Sequence, residues 1–65
     1  MKADTVYLIK AGPSKEAMAV LETTHLPHLA VDIAKEYTED YAAIEIISKS
    51  SSGECELVWS WYEGL

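Results

Sequence analysis

The chain is expected to fold as one α+β domain spanning residues 1–65, in the order ββαββ: a four-stranded, mainly antiparallel sheet with one helix packed on one face. Three observations point there. Only one segment, from Leu26 to about Thr38, repeats its apolar residues at helical spacing. Four other segments are β-branched, aromatic or alternating in polarity. And 65 residues allow only a thin core, because a domain near this size buries only about 60% of the surface its unfolded chain exposes.

Thr5–Lys10 (TVYLIK) reads as the first strand, stopped by Gly12-Pro13-Ser14. Ala17–Thr23 (AMAVLET) has the composition of a helix but is short and uncapped, and reads as a second strand antiparallel to the first. The helix follows. Thr24 or His25 stands at its cap position and Pro27 in its first turn, where the missing N–H costs nothing. Leu26, Leu29, Ala30, Ile33, Ala34 and Tyr37 form its apolar stripe, with His28, Asp32, Lys35, Glu36 and Glu39 on the other side. Ala43–Lys49 is the third strand. The loop Ser50-Ser51-Ser52-Gly53 joins it as a hairpin to the fourth, Glu54–Tyr62, in which Cys55, Leu57, Trp59 and Trp61 alternate with polar residues and Val58.

One helix covers one face of such a sheet, and an antiparallel sheet can leave its other face to water. The expected core is Val6, Leu8, Val20, Leu29, Ile33, Ala34, Ile44, Ile46, Leu57 and Trp59. In the first two strands Tyr7, Ile9 or Leu21 could point inward instead, since a slip of one residue reverses every side chain of a strand.

The composition argues against an enzyme. So small a core leaves no room for a deep, water-excluded cleft. Cys55 is the only cysteine, which rules out an intramolecular disulfide and a cysteine-based zinc site, and it reads as a small buried hydrophobe. His25, His28 and Asp32 could converge on a helix, but no fourth ligand follows; a capping histidine and a His28–Asp32 pair explain them. The carboxylate pairs lie on solvated surfaces with nothing to raise a pKa, and Ser50, Ser51 and Ser52 have no histidine near them. No cofactor and no metal is implied. The opening residues lack a signal sequence and no apolar stretch is long enough to span a membrane, so a cytoplasmic protein is expected.

Charge is more informative. Eleven acids stand against five lysines, with no arginine, for a net −6. Residues 1–31 balance at three acids and three lysines, whereas residues 32–65 hold eight acids and two lysines. Direct binding to nucleic acid needs cations that this chain lacks. A basic partner is the natural counterpart. The candidate partner-binding residues are Asp32, Glu36, Glu39 and Asp40 on the helix side and Glu45, Glu54 and Glu56 on the sheet. The bland alternative is a solvated face that keeps a small protein soluble. Against it, the pairs Asp32/Glu36 and Glu36/Asp40 repel at helical spacing, at about a few tenths of a kcal/mol each.

With those residues in view, the chain resembles the small phage-encoded anti-CRISPR proteins that inhibit type I CRISPR-Cas systems. The likeness runs through Met1-Lys2-Ala3, the strand Tyr7–Lys10, the helix pattern Leu26, Ala30, Ile33, Ala34, and two closing strands that end in Trp59, Trp61 and Tyr62. The resemblance implies an inhibitor acting in a host bacterial cytoplasm. Its acidic, DNA-like surface would occupy the basic DNA-binding surface of a surveillance-complex protein, the large or PAM-reading subunit of Cascade being favoured, and block target DNA. A monomer is expected on this reading, with Tyr41, Trp61 or Tyr62 as a secondary aromatic anchor. The other reading is a small interaction or regulatory module, homodimeric through a sheet edge or its aromatic face, with the charge serving solubility.

Overall fold

In a computed structural model, which describes residues 5–64, the elements run β1 (Val6–Gly12), β2 (Ala19–Thr24), α1 (Pro27–Tyr37), β3 (Ala43–Lys49) and β4 (Cys55–Tyr62). The strands form one antiparallel sheet in the order β2-β1-β3-β4, as the α+β reading expects. The molecule is 39 Å long and only 18 Å across its thinnest direction, room for two layers and no third. Among the described residues no helix is long and apolar enough to cross a membrane.

Where α1 begins depends on proline. Pro27 occupies the first turn, and Leu26, with extended backbone at φ −103° and ψ 116°, is the residue before it. A residue preceding proline is pushed out of the helical region. Neither Thr24 nor His25 is therefore the cap. Thr24 Oγ1 instead accepts a hydrogen bond from the Leu26 N–H at 3.2 Å, and His25 Nδ1 lies 3.1 Å from the Thr5 carbonyl oxygen. At the other end Thr38 Oγ1 donates to the Lys35 carbonyl at 2.6 Å, which satisfies one of the carbonyls a helix leaves open.

The core sits between α1 and the two central strands. Ile9, Ala11, Ala30, Ala34, Ala43, Ile44 and Ile46 are the buried apolar residues. Ala30 and Ala34 face the sheet, and their small side chains let the helix approach the three isoleucines closely. Tyr7, Val31, Ile33, Tyr37, Tyr41, Trp59 and Trp61 pack around this centre and are partly exposed.

Several expected core positions move. In β1 the inward residues are Tyr7, Ile9 and Ala11, so alternation sends Val6, Leu8 and Lys10 to the opposite, open face. Leu29 lies at the margin of the helical stripe, 43% exposed, and Leu26, outside the helix, is 56% exposed. The other changes come from two β-bulges. The β1–β2 register steps from Ile9↔Glu22 to Lys10↔Val20, leaving Leu21 over. The β3–β4 register steps from Ile46↔Trp59 to Ile47↔Leu57, leaving Val58 over. A bulge reverses the parity of the strand beyond it. Trp59 and Trp61 thus share the helix side with Ile46 and Ile44, while Leu57 and Cys55 lie on the open face beside Ile47 and Lys49. Val20 follows Lys10 to that face. Cys55, expected to be buried, is exposed.

The connection from β1 to β2 folds back over one end of the open face. A Cβ on Gly12 would stand 1.9 Å from the Ala17 carbonyl oxygen, so only glycine admits this path. Lys15 Nζ lies 5.1 Å from the centre of the Tyr62 ring, a cation–π contact that holds the loop to β4. Gly12→Ala is expected to force loop and strand apart, losing about 2 kcal/mol or more, and to lower the melting temperature by about 10 °C. A thermal melt followed by circular dichroism checks this, and an unchanged melt would show that the loop moves freely.

Candidate functional site

The acids proposed as partner-binding residues separate into three groups. Asp32 and Glu36 stand one turn apart on the outer side of α1, and Glu39 and Asp40 follow in a turn closed by Glu39 N–H to Glu36 O at 3.4 Å and Asp40 N–H to Tyr37 O at 3.0 Å. All four are exposed. At about 1.5 Å of rise per helical residue and about 2 Å in the tighter turn, they occupy about 12–14 Å of axis. Their three intervals average about 4–5 Å, wider than the roughly 3.4 Å per charge along one strand of duplex DNA.

Glu54 and Glu56 form a second group. Glu54 lies in the β3–β4 connection, where Ser50 Oγ accepts from the Glu54 N–H at 3.2 Å and lies 2.8 Å from Ser52 Oγ. The serines here shape the hairpin, with Gly53 at φ 93° supplying the left-handed step. Chain direction puts this loop at the end of the sheet where α1 starts, whereas Glu39 and Asp40 lie where it ends. A strand's length, roughly 20 Å at 3.3 Å per residue, separates the hairpin from Glu39 and Asp40. Screening acts over about 8 Å at physiological salt, so the two do not act as one field.

Glu45 stands apart. It is on the open face, on the other side of the sheet from α1, and its Oε2 accepts a hydrogen bond from the Tyr62 hydroxyl. The structure therefore brings together four of the seven acids. One acid that the sequence reading passed over lies at the same end of the sheet, because Glu63 N–H donates to the Ala42 carbonyl at 2.8 Å. The pairing of β3 with β4 was the available signal, since it returns the end of the chain to the start of β3.

The placement of the helical acids runs against stability. A helix favours anions at its N-terminus and cations at its C-terminus, by about 0.3–1 kcal/mol each. The first turn of α1 holds no acid, and Lys35 is the one basic residue of the last turn. Glu36, Glu39 and Asp40 crowd the negative end.

Of the aromatic residues considered as anchors, Tyr41 adjoins the acidic group. Its ring meets Tyr37 edge to face, with centroids 5.7 Å apart and planes at 90°. Trp61 and Tyr41 both pack against the core, and Tyr62 is engaged by Glu45 and Lys15. One concavity, a shallow depression of about 340 Å³ lined by Pro13, Ser14, Lys15, Glu16, Ala42, Ala43, Tyr62 and Glu63, lies at the same end of the sheet. Among the described residues no three His, Cys, Asp or Glu side chains are grouped to hold a metal ion.

Two tyrosines are tied to carboxylates. Tyr37 donates to Glu22 Oε1 at 2.8 Å. That hydrogen bond, then desolvation and the charge of Glu22, raise the Tyr37 phenol above its ordinary pKa of 10.0. The hydrogen bond to Glu45 does the same for Tyr62. Each bond exists only while the phenol keeps its proton. Above about pH 10 the unfolded chain binds fewer protons than the folded one, so stability falls as pH rises through the raised pKa. Tyr37→Phe is expected to cost about 0.5 kcal/mol at about pH 8, at the low end for a hydrogen bond because Glu22 is exposed. Denaturation curves of the two proteins should converge at alkaline pH. A constant gap would place the loss in packing instead.

No known protein family matches the chain, and neither a curated protein nor a solved structure matches it.

Proposed function

We propose that this protein is a non-enzymatic inhibitor that sets the acidic side of α1 against a basic DNA-binding surface of a type I CRISPR surveillance complex and thereby excludes target DNA. The observation that carries the reading is the row Asp32, Glu36, Glu39 and Asp40, exposed on consecutive turns with its charges about 4–5 Å apart along the axis on average. Three of the four, Glu36, Glu39 and Asp40, also stand at the helix end where they cost stability, which a face serving only solubility has no reason to accept. The resemblance to small anti-CRISPR proteins supplies the partner class, and the absence of arginine limits it to the acidic mode.

On this reading charge speeds encounter and sets orientation, while affinity needs a desolvated anchor. Tyr41, next to Asp40 and braced by Tyr37, is that anchor. Neighbouring acids lie at most about 6 Å apart along the axis, within one screening length, so the row acts as a unit that added salt weakens. Glu54, Glu56 and Glu45 lie outside the contact.

The test is displacement of cognate duplex from a purified type I complex. Glu36→Lys with Asp40→Lys should raise the concentration needed for half-displacement about tenfold or more, since like charges would then meet across the interface. The same change should leave the melting temperature equal or slightly higher, because it removes repulsion at the helix end. A charge-reversed protein that displaces DNA as well as the parent would remove the helical acids from the function.

A further inference from the structure

The open face of the sheet carries an apolar row that the helix does not cover. Leu8, Ile47 and Leu57 form a row across β1, β3 and β4, with Val6 and Val20 to either side. Val20 is 49% and Leu57 56% exposed. The helix-side core has only three fully buried large side chains, Ile9, Ile44 and Ile46. Some chains of this size fold alone, and others add a disulfide, a metal or a second subunit. The single cysteine excludes an internal disulfide, and no metal-holding group is found among the described residues.

We propose that the open face packs against the open face of a second copy of this chain, forming a two-fold symmetric sandwich of two sheets. Three features favour a second copy, and favour the face over an edge. Both edge strands, β2 and β4, carry a bulge, at Leu21 and at Val58, and bulged edges resist edge-to-edge pairing. Next, the strands of this face carry little net charge, Lys10 and Lys49 against Glu45, so copies of a −6 chain meet there with less repulsion than across the acidic side of α1. Finally, its charges are self-complementary. Glu45 and Lys49 lie two residues to either side of Ile47 on β3. A two-fold axis through Ile47, across the strands, sets Lys49 of each copy against Glu45 of the other while the Leu8, Ile47 and Leu57 rows meet. This isologous pairing leaves the sheets near the aligned angle of β-sandwiches. The loop Pro13–Ala17, folded over Gly12, closes the far end of the face and centres the contact on that row.

A sheet of four such strands spans roughly 19 by 25 Å, about 450 Å² per copy. Two copies together bury about 900 Å², below the roughly 1,200 Å² of stable specific interfaces and in the range of weak, transient ones, so association is sought at about 10–1,000 μM protein. The acidic side of α1 stays outside in both copies, so the dimer would present two such sides.

Sedimentation equilibrium across that range should show the mass rise from 7.2 kDa toward twice that value. Leu57→Lys, at a position exposed in the monomer, should keep its circular dichroism and weaken the dimer about tenfold or more. Lys49→Glu should weaken it as well, and Lys49→Glu combined with Glu45→Lys should restore it to within about twofold of the parent, because the exchange preserves the cross-copy pairing. Restoration by the double exchange separates this interface from a folding defect. A chain that stays monomeric throughout, leaving the face to a different protein, would overturn the proposal. So would a dimer indifferent to both Leu57→Lys and Lys49→Glu.

Discussion

Ala30 and Ala34 of the helix meet Ile9, Ile44 and Ile46 of the sheet, and this contact excludes water from the fully buried centre of the core. Everything else in the fold is arranged around it. The alanines set how closely the helix lies, and the isoleucines supply nearly all the fully buried aliphatic volume. A buried isoleucine contributes about 1.5–3 kcal/mol, and a protein of this length has only about 3–10 kcal/mol in total. One short helix can seal no more than this. It rests on β1 and β3, touches β2, and scarcely reaches β4, so Trp59 and Trp61 cover the remaining gap from the sheet side.

The same constraint creates the second face. Once odd-numbered residues of β1 and even-numbered residues of β3 are spent on the helix, Leu8 and Ile47 must face outward. The bulge at Val58 then turns Leu57 to join them while keeping both tryptophans on the helix side. A strictly alternating β4 could not serve both faces in this way. Without the bulge either the tryptophans or Leu57 would be on the wrong side, which makes Val58 the hinge between the core and the open surface.

Much of this was legible in the sequence. The helix announced itself through its spacing and Pro27, and the hairpin through Ser50–Gly53. Glu45 marked the outward side of β3 and so identified Ile44 and Ile46 as core. The register of β1 was not legible from apolar content, because VYLIKAG is apolar on both sides and both sides of this sheet are apolar. Lys10 was the usable clue, since burying Leu8 would have turned its charge inward. The bulges left no mark, because neither Leu21 nor Val58 differs in type from an ordinary strand residue. Leu26 misled for a different reason: proline after it fixes an extended backbone, so the helical stripe starts one residue late and leaves Leu29 at its margin. The acids could be counted in the sequence, but their division over the fold could not be read there. Glu45 and Glu54 are near the helical acids only in composition, and the sheet and the length of a strand keep them apart.

Three surfaces with separate chemistry result: a sealed apolar layer, an outer helical side rich in carboxylates, and an open sheet side with aliphatic residues and paired charge. The account stands on the claim that neighbouring residues of one strand serve different surfaces. The methyl spectrum of Ile44, Ile46 and Ile47, followed as the protein is diluted, tests it most directly. The account predicts that the Ile47 signals move with concentration while those of Ile44 and Ile46, held against the helix, stay in place. Signals that all move together, or that never move, would contradict it.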